Sequence, residues 1–204
     1  MSRGNRAGLL FGLLRMSVFA VPACAATLIE RVLEKADHVV VAEVAYGTAV
    51  NEDNWFTLVP RYSLKGDLKP GVAVAVTYRV KGIPIRGNGE LGGQFGLWFL
   101  AREKMGGYTL GPPRLQSPPL QLAYYPLPRA AWARPAVPRG ASLVEEVFLH
   151  LALAADSVRR GQEFWHLAEG VLSCLDSSAG KSMRETLDQW TGSSSPNMVA
   201  LGLT

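Results

Sequence analysis

The sequence predicts an α+β protein in which a small antiparallel β-barrel precedes an α-helical tail of hairpins or repeats. Between residues 38 and 111, short segments that alternate apolar and polar residues, or are wholly apolar, are separated by Gly and Pro turns. Eight of the 13 prolines follow between Pro112 and Pro138, and from Ser142 onward apolar residues recur at helical spacing. These observations place strands first, a stiff connector second and helices last.

The same observations set the domain boundaries. We assign residues 1–25 to a signal peptide, 26–111 to the β-barrel domain, 112–140 to a proline-rich strap or linker, and 141–204 to the α-helical domain. Residues 26–140 carry a net charge of +5 and residues 141–204 a net charge of −4. This difference indicates either compositional drift or two parts that dock through opposite surfaces.

The first 25 residues are typical of a secretory signal. Arg3 and Arg6 precede a mostly apolar run from Ala7 to Ala26, and Ala23-Cys24-Ala25 fits the small-x-small pattern of a signal-peptidase site. Arg15 interrupts the run at a cost of about 2.5–3.5 kcal/mol, which roughly cancels the insertion free energy of the neighbouring Leu, Phe and Val residues. A transient signal tolerates that balance better than a permanent span, so we expect cleavage after Ala25 and export to the periplasm or the extracellular space.

Two alternatives stay open for this segment, and only they would bring the protein to a membrane. Residues 7–26 could be retained as an anchor, or Cys24 could be acylated, since residues 21–24 loosely resemble a bacterial lipobox. Cleavage after Ala25 leaves a net charge of +1 rather than +4, which removes the usual argument from a basic protein to a nucleic-acid partner. It also leaves Cys174 as the single cysteine, so no internal disulfide is expected.

The barrel elements begin with a short amphipathic helix at Thr27–Ala36, followed by a strand from His38 to about Gly47. Alternation then predicts two strands that each bury one side. The residues placed on their buried faces are Phe56, Leu58, Tyr62 and Leu64 in the first, and Val72, Val74, Val76, Tyr78 and Val80 in the second. Pro60 cannot donate to a strand ladder, which indicates an edge or a bulge.

A continuous apolar run at residues 94–103 predicts a central strand, and Gly106-Gly107 predicts a hairpin turn into the next one. Another short strand is expected at residues 120–125. Tyr124, Tyr125 and Trp132 lie on the strap, where we expect them to pack against the barrel rather than bind a partner.

Four helices are predicted in the tail, starting near residues 142, 161, 181 and 196. Ser142 and Glu145 have the spacing of a capping box. The apolar stripes of the first three helices are Val144, Val147, Phe148, Leu151 and Ala155; Phe164, Ala168, Val171, Leu172 and Leu175; and Met183, Leu187 and Trp190. A repeat of roughly 35–40 residues is within the range of helical solenoids, and the uncapped end at Thr204 indicates that the last repeat is incomplete.

The order of a leader, a short helix, "ADHVVVAEV", "WFTLVPRYSLKG" and "GLWFLAREKMGGYTL" resembles the netrin-like modules related to the tissue inhibitors of metalloproteinases, over residues 24–111. The resemblance implies an OB-like β-barrel. In that family the mature chain begins at a Cys whose amine and carbonyl chelate a protease zinc, and only Cys24 corresponds to it. The family's disulfide partners are absent from this sequence. The tail from Ser142 is similar in rhythm to HEAT-type helical repeats.

Two nucleotide-binding patterns occur literally but in the wrong context. Gly87, Gly89 and Gly92 match Gly-x-Gly-x-x-Gly, yet the turn opens a predicted strand, whereas a dinucleotide site requires it to open a helix. The end of a phosphate-binding loop is matched at residues 180–182, yet Leu175 stands where its first glycine belongs. Both are interpreted as ordinary loops.

The strongest candidate for a chemical site lies on the first two tail helices. Glu146 and His150 are four residues apart and Glu163 and His166 are three apart, so each pair shares a helical face. If those faces meet, the four side chains could hold the metal of a hydrolase. His38 has no visible Asp or Ser partner, and no catalytic triad can be assembled.

The sequence therefore predicts an exported, non-enzymatic module that binds or scaffolds another protein, without a cofactor and without nucleic acid. No catalytic, cofactor-binding or metal-ligating residue is assigned. The two alternatives are a metal-dependent hydrolase that uses Glu146, His150, Glu163 and His166, and a membrane-anchored structural protein of the envelope.

Overall fold

A computed structural model of the chain describes residues 28–50, 53–79, 93–104, 106–110, 124–129, 134–159, 161–177 and 179–190, together with positions 192, 193, 195, 197 and 199. The elements in chain order are α1 (Leu28–Lys35), β1 (His38–Val50), β2 (Asp53–Lys65), β3 (Val74–Arg79), β4 (Phe95–Arg102), β5 (Tyr108–Leu110), β6 (Tyr124–Pro126), α2 (Leu143–Ser157), α3 (Gln162–Leu175) and α4 (Gly180–Trp190). The leader lies outside the described residues. Within them, no helix combines the length and the apolar character that crossing a bilayer requires.

Five strands close into a small barrel, as the sequence predicts. Hydrogen bonding follows the order β1-β2-β3-β5-β4, and β1 pairs with β4 to complete the circle. All pairings are antiparallel except the one between β3 and β5. The OB-like α+β architecture is therefore confirmed, with one parallel contact that the alternation pattern did not indicate.

β4 is the central strand of the sheet, which confirms the prediction from its continuous apolar run. It pairs with β1, β5 and β6, and its residues from Phe95 to Ala101 are buried. Apolar side chains are needed on both faces because one face lines the barrel and the other is covered by helices. The predicted hairpin turn is also present, since Gly106 and Gly107 both have positive φ angles, of 92° and 85°.

The barrel interior is filled by the even-numbered residues of β1 and β4 together with side chains of the other strands. The buried members are Val40, Ala42, Val44, Phe56, Leu58, Val76, Trp98, Leu100 and Leu110. The indole nitrogen of Trp98 donates to the carbonyl of Ala42 at 3.0 Å, which satisfies the polar atom of this buried ring.

Pro60 lies at a bulge in β2, as its missing N–H predicts. Val41 pairs with Tyr62 but Ala42 pairs with Pro60, so Arg61 is an extra residue in the strand. The bulge reverses the faces that follow it. The prediction that Phe56, Leu58, Tyr62 and Leu64 share one face is therefore wrong: the first two lie in the barrel interior, and the last two pack against the helices outside.

β3 is shorter than the alternation predicts. It begins at Val74, so Val72 lies before the strand and is 53% exposed. Val76 is fully buried in the barrel interior and Val74 packs against the same cluster. The side chain of Tyr78 and the whole of Val80 lie outside the described residues.

The outer face of β1 and β4 is covered by the helices. At most 4% of the surface of each residue is exposed at Val39, Val41, Phe95, Leu97 and Phe99. These side chains belong to one hydrophobic cluster with buried residues of all four helices and with Tyr125. The contact between the two oppositely charged parts of the chain is thus largely apolar.

The three described tail helices begin as predicted. Ser142 accepts a hydrogen bond from the Glu145 N–H, and the Glu145 carboxylate accepts one from the Ser142 N–H, which is the predicted capping box. The predicted fourth helix falls mainly outside the described residues. One of its described positions, Asn197, is buried, and its side-chain amide donates to the carbonyls of Ala155 and Val158. These hydrogen bonds satisfy carbonyl groups at the C-terminal end of α2.

Two aromatic residues of the strap pack inward, as predicted. Tyr124 stacks on Trp98 with ring centroids 4.0 Å apart. Tyr125 is 1% exposed and stacks on His166 with centroids 4.9 Å apart. The third, Trp132, lies outside the described residues.

Candidate functional site

Two exposed aromatic side chains lie together on the outer face of the β1–β2 hairpin. Tyr46 is 67% exposed and Trp55 is 49% exposed. Tyr46 pairs with Thr57, and Thr48 pairs with Trp55. The two aromatic residues therefore occupy diagonal positions on one face, where cross-strand neighbours come within roughly 7–8 Å of each other.

Another bulge in the β1–β2 pairing explains why Tyr46 faces outward. Val44, 1% exposed, points into the barrel opposite Leu58, and the register then shifts by one residue before Tyr46 pairs with Thr57. Without the extra residue Ala45, Tyr46 would continue the inward series. Simple alternation does not reveal such a bulge, so the sequence gives little sign of this exposed pair.

Basic side chains flank the aromatic pair. Along β2, the outward-facing residues are Trp55, Thr57, Val59 and Arg61. We call these four residues and Tyr46 the outer strip. The Glu43 carboxylate, opposite Val59, is 3.2 Å from the guanidinium of Arg61 and 3.2 Å from that of Arg129. Two guanidinium groups therefore contact one carboxylate at this end of the strip.

A second polar cluster surrounds His38, and sequence reasoning missed it. The His38 ring is 2% exposed. Its Nε2 lies 3.4 Å from the Arg102 guanidinium, and its Nδ1 lies 3.7 Å from the Asp67 carboxylate. A carboxylate therefore does lie near His38, contrary to expectation, although it is too far away for a hydrogen bond. It comes from the β2–β3 turn, 29 positions away in the sequence, which no local spacing rule detects.

A third polar group joins the barrel to α2. The Nδ1 of His150 contacts the carbonyl of Glu146 at 2.6 Å, and its Nε2 lies 3.1 Å from the Tyr62 hydroxyl. Because a carbonyl only accepts, Nδ1 carries the proton and Nε2 accepts from the phenol. Burial lowers the pKa of His150 and raises the pKa of Tyr62 to about 12. Both groups are neutral near pH 7, and the contact is structural.

Three of the four residues proposed for a metal site make other contacts. Glu146 binds Arg134 at 2.6 Å, His150 uses both ring nitrogens as described above, and the Nε2 of His166 contacts the carbonyl of Tyr124 at 3.1 Å. The side chain of Glu163 lies outside the described residues. Across the described part of the chain, no three His, Cys, Asp or Glu side chains come close enough to hold a metal ion. The hydrolase hypothesis stays a prediction that none of these contacts supports.

Cys174 is free and buried in the core of α3. Burial raises the pKa of its thiol to about 12, so almost no thiolate exists at neutral pH. Since the thiolate is the nucleophile, this cysteine packs the core and does not react.

A cavity of about 210 Å³ lies between the turn at residues 138–141, α2 and α4. Its floor is formed by Phe148 and Met183, which are only 1% and 2% exposed. A ligand in this cavity would remove little further apolar area from water, so it would gain little affinity from the hydrophobic effect.

No protein-family model matches the chain, and no curated protein is similar to it in sequence. The outer strip, the His38 cluster and the Tyr62–His150 contact are therefore interpreted from their own geometry.

Proposed function

We propose that this protein is an exported, non-enzymatic binding or scaffolding module whose partner is another protein held by the outer strip. The observation that carries the proposal is the exposed pair Tyr46 and Trp55 on the paired strands β1 and β2. Tyr, Trp and Arg are the residues most enriched where protein interfaces gain their affinity. The strip combines all three types on one face.

The exposed area gives the pair enough free energy to matter. Full burial of a large apolar side chain is worth about 1.5–3 kcal/mol, and Tyr46 and Trp55 are 67% and 49% exposed. A partner that covers both rings would therefore gain about 2–3 kcal/mol from them, which corresponds to a factor of roughly 30–150 in affinity.

The flanking charges also suit a protein partner. Arg61 and Arg129 are 44% and 67% exposed while the Glu43 between them is 22% exposed. Both arginines can add hydrogen bonds to a protein partner at the polar rim of the strip. A nucleic-acid partner is less well supported, because the chain without residues 1–25 has a net charge of only +1.

Binding is tested by capture from envelope extract followed by titration of each purified candidate. We expect Trp55→Ala to weaken the affinity by tenfold or more, and Tyr46→Ala to act in the same direction. Trp165→Ala is the matched control, because Trp165 is a 61% exposed tryptophan that belongs to α3 and not to the β1–β2 hairpin. The proposal fails if Trp55→Ala binds like the unchanged protein, or if Trp165→Ala weakens binding equally.

Export is a separate part of the proposal and has its own measurement. The intact mass of the protein recovered from its producing cells should correspond to a chain that starts at Ala26. A mass that includes residues 1–25 contradicts cleavage, and an acylated Cys24 supports the membrane-attached alternative.

A further inference from the structure

His38 lies where three parts of the barrel meet at one end. It opens β1 directly after α1, Arg102 closes β4, and Asp67 stands on the β2–β3 turn (residues 66–73). The Tyr108 ring of β5 meets the imidazole edge-on, with centroids 5.1 Å apart. This packing fixes the ring plane, and the contact with Arg102 sets the direction of the ring nitrogens within it.

The proton positions on His38 follow from its neighbours. A guanidinium has only donors, so Nε2 accepts from Arg102, and in the neutral ring the proton is on Nδ1. That buried Nδ1–H finds no hydrogen-bond partner among the residues the structure describes. Asp67 is the nearest carboxylate, at 3.7 Å, which is too long for a hydrogen bond.

Protonation would reverse this arrangement. In the imidazolium both nitrogens are donors, so Nε2 no longer accepts from Arg102, and two cations face each other at a separation of 3.4 Å. The Asp67 carboxylate, 84% exposed, also lies 3.8 Å from the Arg102 guanidinium, which is 60% exposed. The exchange therefore breaks this ion pair as Arg102 turns into water. The carboxylate needs to move only about 1 Å to reach the 2.7–2.9 Å of a charge-assisted hydrogen bond.

We propose that protonation of His38 exchanges its partner from Arg102 to Asp67, and so draws the β2–β3 turn onto the end of the barrel. The device responds to acidification. It does not depend on the outer strip, so it can be tested before any partner is known.

The charged groups that face His38 set the direction of its titration. They come from every element around it: Asp37 before β1, Lys65 and Asp67 at the end of β2, and Arg102 of β4. Burial is the largest influence and lowers the pKa of His38; Asp67 and Asp37 act against it, and Arg102 and Lys65 act with it. Since the folded state then binds the proton less readily than the unfolded state, stability falls as the pH drops below the ordinary histidine range.

Two-bond ¹H–¹⁵N NMR spectra of the histidine rings test the exchange directly. In the neutral protein we expect the proton on Nδ1 of His38. During an acid titration, the amide signals of Asp67 and Leu68 should shift with the same midpoint as the His38 ring. The proposal is overturned if the neutral ring carries its proton on Nε2, or if the amide signals of Asp67 and Leu68 do not shift during the titration of the ring.

Three variants separate the exchange from a general effect of charge. Arg102→Gln should raise the pKa of His38, and Asp67→Asn should lower it and abolish the linked shift of the turn amides. Lys104→Gln is the control, because Lys104 is exposed near Arg102 and is not among the groups that shift His38. The proposal is wrong if Asp67→Asn retains the linked shift, or if Lys104→Gln moves the pKa of His38 as far as Arg102→Gln does.

Discussion

At Gly66 the chain passes so close to His38 that no side chain can be accommodated. A Cβ atom there would lie 2.0 Å from the His38 Nδ1 and 2.9 Å from the Asp37 carbonyl oxygen. The φ angle of 86° is also in the left-handed region that favours glycine. Glycine is therefore required at position 66 both by the backbone conformation and by the close packing of His38.

Gly66→Ala should therefore destabilise the fold more than an ordinary glycine substitution does. Gly71 is a matched control in the same turn, since its φ angle is 75° but no atom lies within 4 Å of its Cβ position. We expect about 1 kcal/mol of lost stability for Gly71→Ala from backbone strain alone. Gly66→Ala should lose at least about 1–3 kcal/mol more, because the His38 ring must move. Urea unfolding midpoints measure both; equal losses would show that the ring moves without cost.

The sequence predicts a turn at "KGDLKPG" but not this difference between its two glycines. Both glycines are predicted to be turn residues, because turn propensity depends on the residue type and its immediate neighbours. The steric requirement at Gly66 depends on His38, which lies in another strand. The same limit applies to the His38–Asp67 contact and explains why the candidate sites were less predictable than the elements.

Elements with uninterrupted periodicity were predictable, and bulged strands were not. The predicted apolar stripes of α2 and α3 and the wholly apolar β4 agree with the structure. No inserted residue changes the direction of their side chains along the element. In β2 the extra residue Arg61 reverses the faces, and in β1 the extra residue Ala45 turns Tyr46 outward. An alternation pattern carries no signal for a single inserted residue, so the exposed strip could not be located from it.

Helix α3 approaches β6 closely, and a glycine makes this possible. At Gly170 a Cβ atom would lie 2.7 Å from the Tyr125 ring and 2.8 Å from a methyl carbon of Leu151. Both neighbours are fully buried. Neither can move away without disturbing the cluster that joins the helices to the barrel.

Gly170→Ala sets two opposing effects against each other. Alanine in a helix is favoured over glycine by about 0.8–1 kcal/mol, whereas overpacking a close contact costs about 1–3 kcal/mol. We expect a net destabilisation of about 1 kcal/mol, measured as a lower Tm and a lower urea midpoint. Glu169→Ala, an exposed change in the same helix, should stay within about 0.5 kcal/mol. A Gly170→Ala protein more stable than its parent would show that the α3–β6 contact is loose.

The whole molecule is held by a hydrophobic cluster to which both the barrel and the helices contribute. Barrel residues such as Val41, Leu97 and Phe99 belong to it together with helical residues such as Phe148 and Leu167. All five are 1% exposed or less. The polar contact between Tyr62 and His150 lies at the same junction. The outer face of β1 and β4 is thus as much a part of the core as the barrel interior.

This shared core leads to a prediction about the boundary near residue 140. Without residues 141–204, only α1 and β6 would still cover the face formed by Val39, Val41, Phe95, Leu97 and Phe99, which are now at most 4% exposed. At about 1.5–3 kcal/mol for each side chain, the loss of burial would reach at most roughly 8–15 kcal/mol, which is comparable to the whole stability of a typical domain. We expect residues 26–140 alone to aggregate or to bind a hydrophobic dye without a cooperative unfolding transition.

A cut made after folding provides the control for that experiment. Arg139 and Gly140 are exposed, so a specific cleavage site introduced between them should be cut in the folded protein. The two pieces should then remain associated through the shared cluster and unfold together, because the cut removes a covalent link and no apolar contact. If instead residues 26–140 alone unfold cooperatively as a soluble monomer, the barrel is a domain in its own right and the helices are an attachment to it.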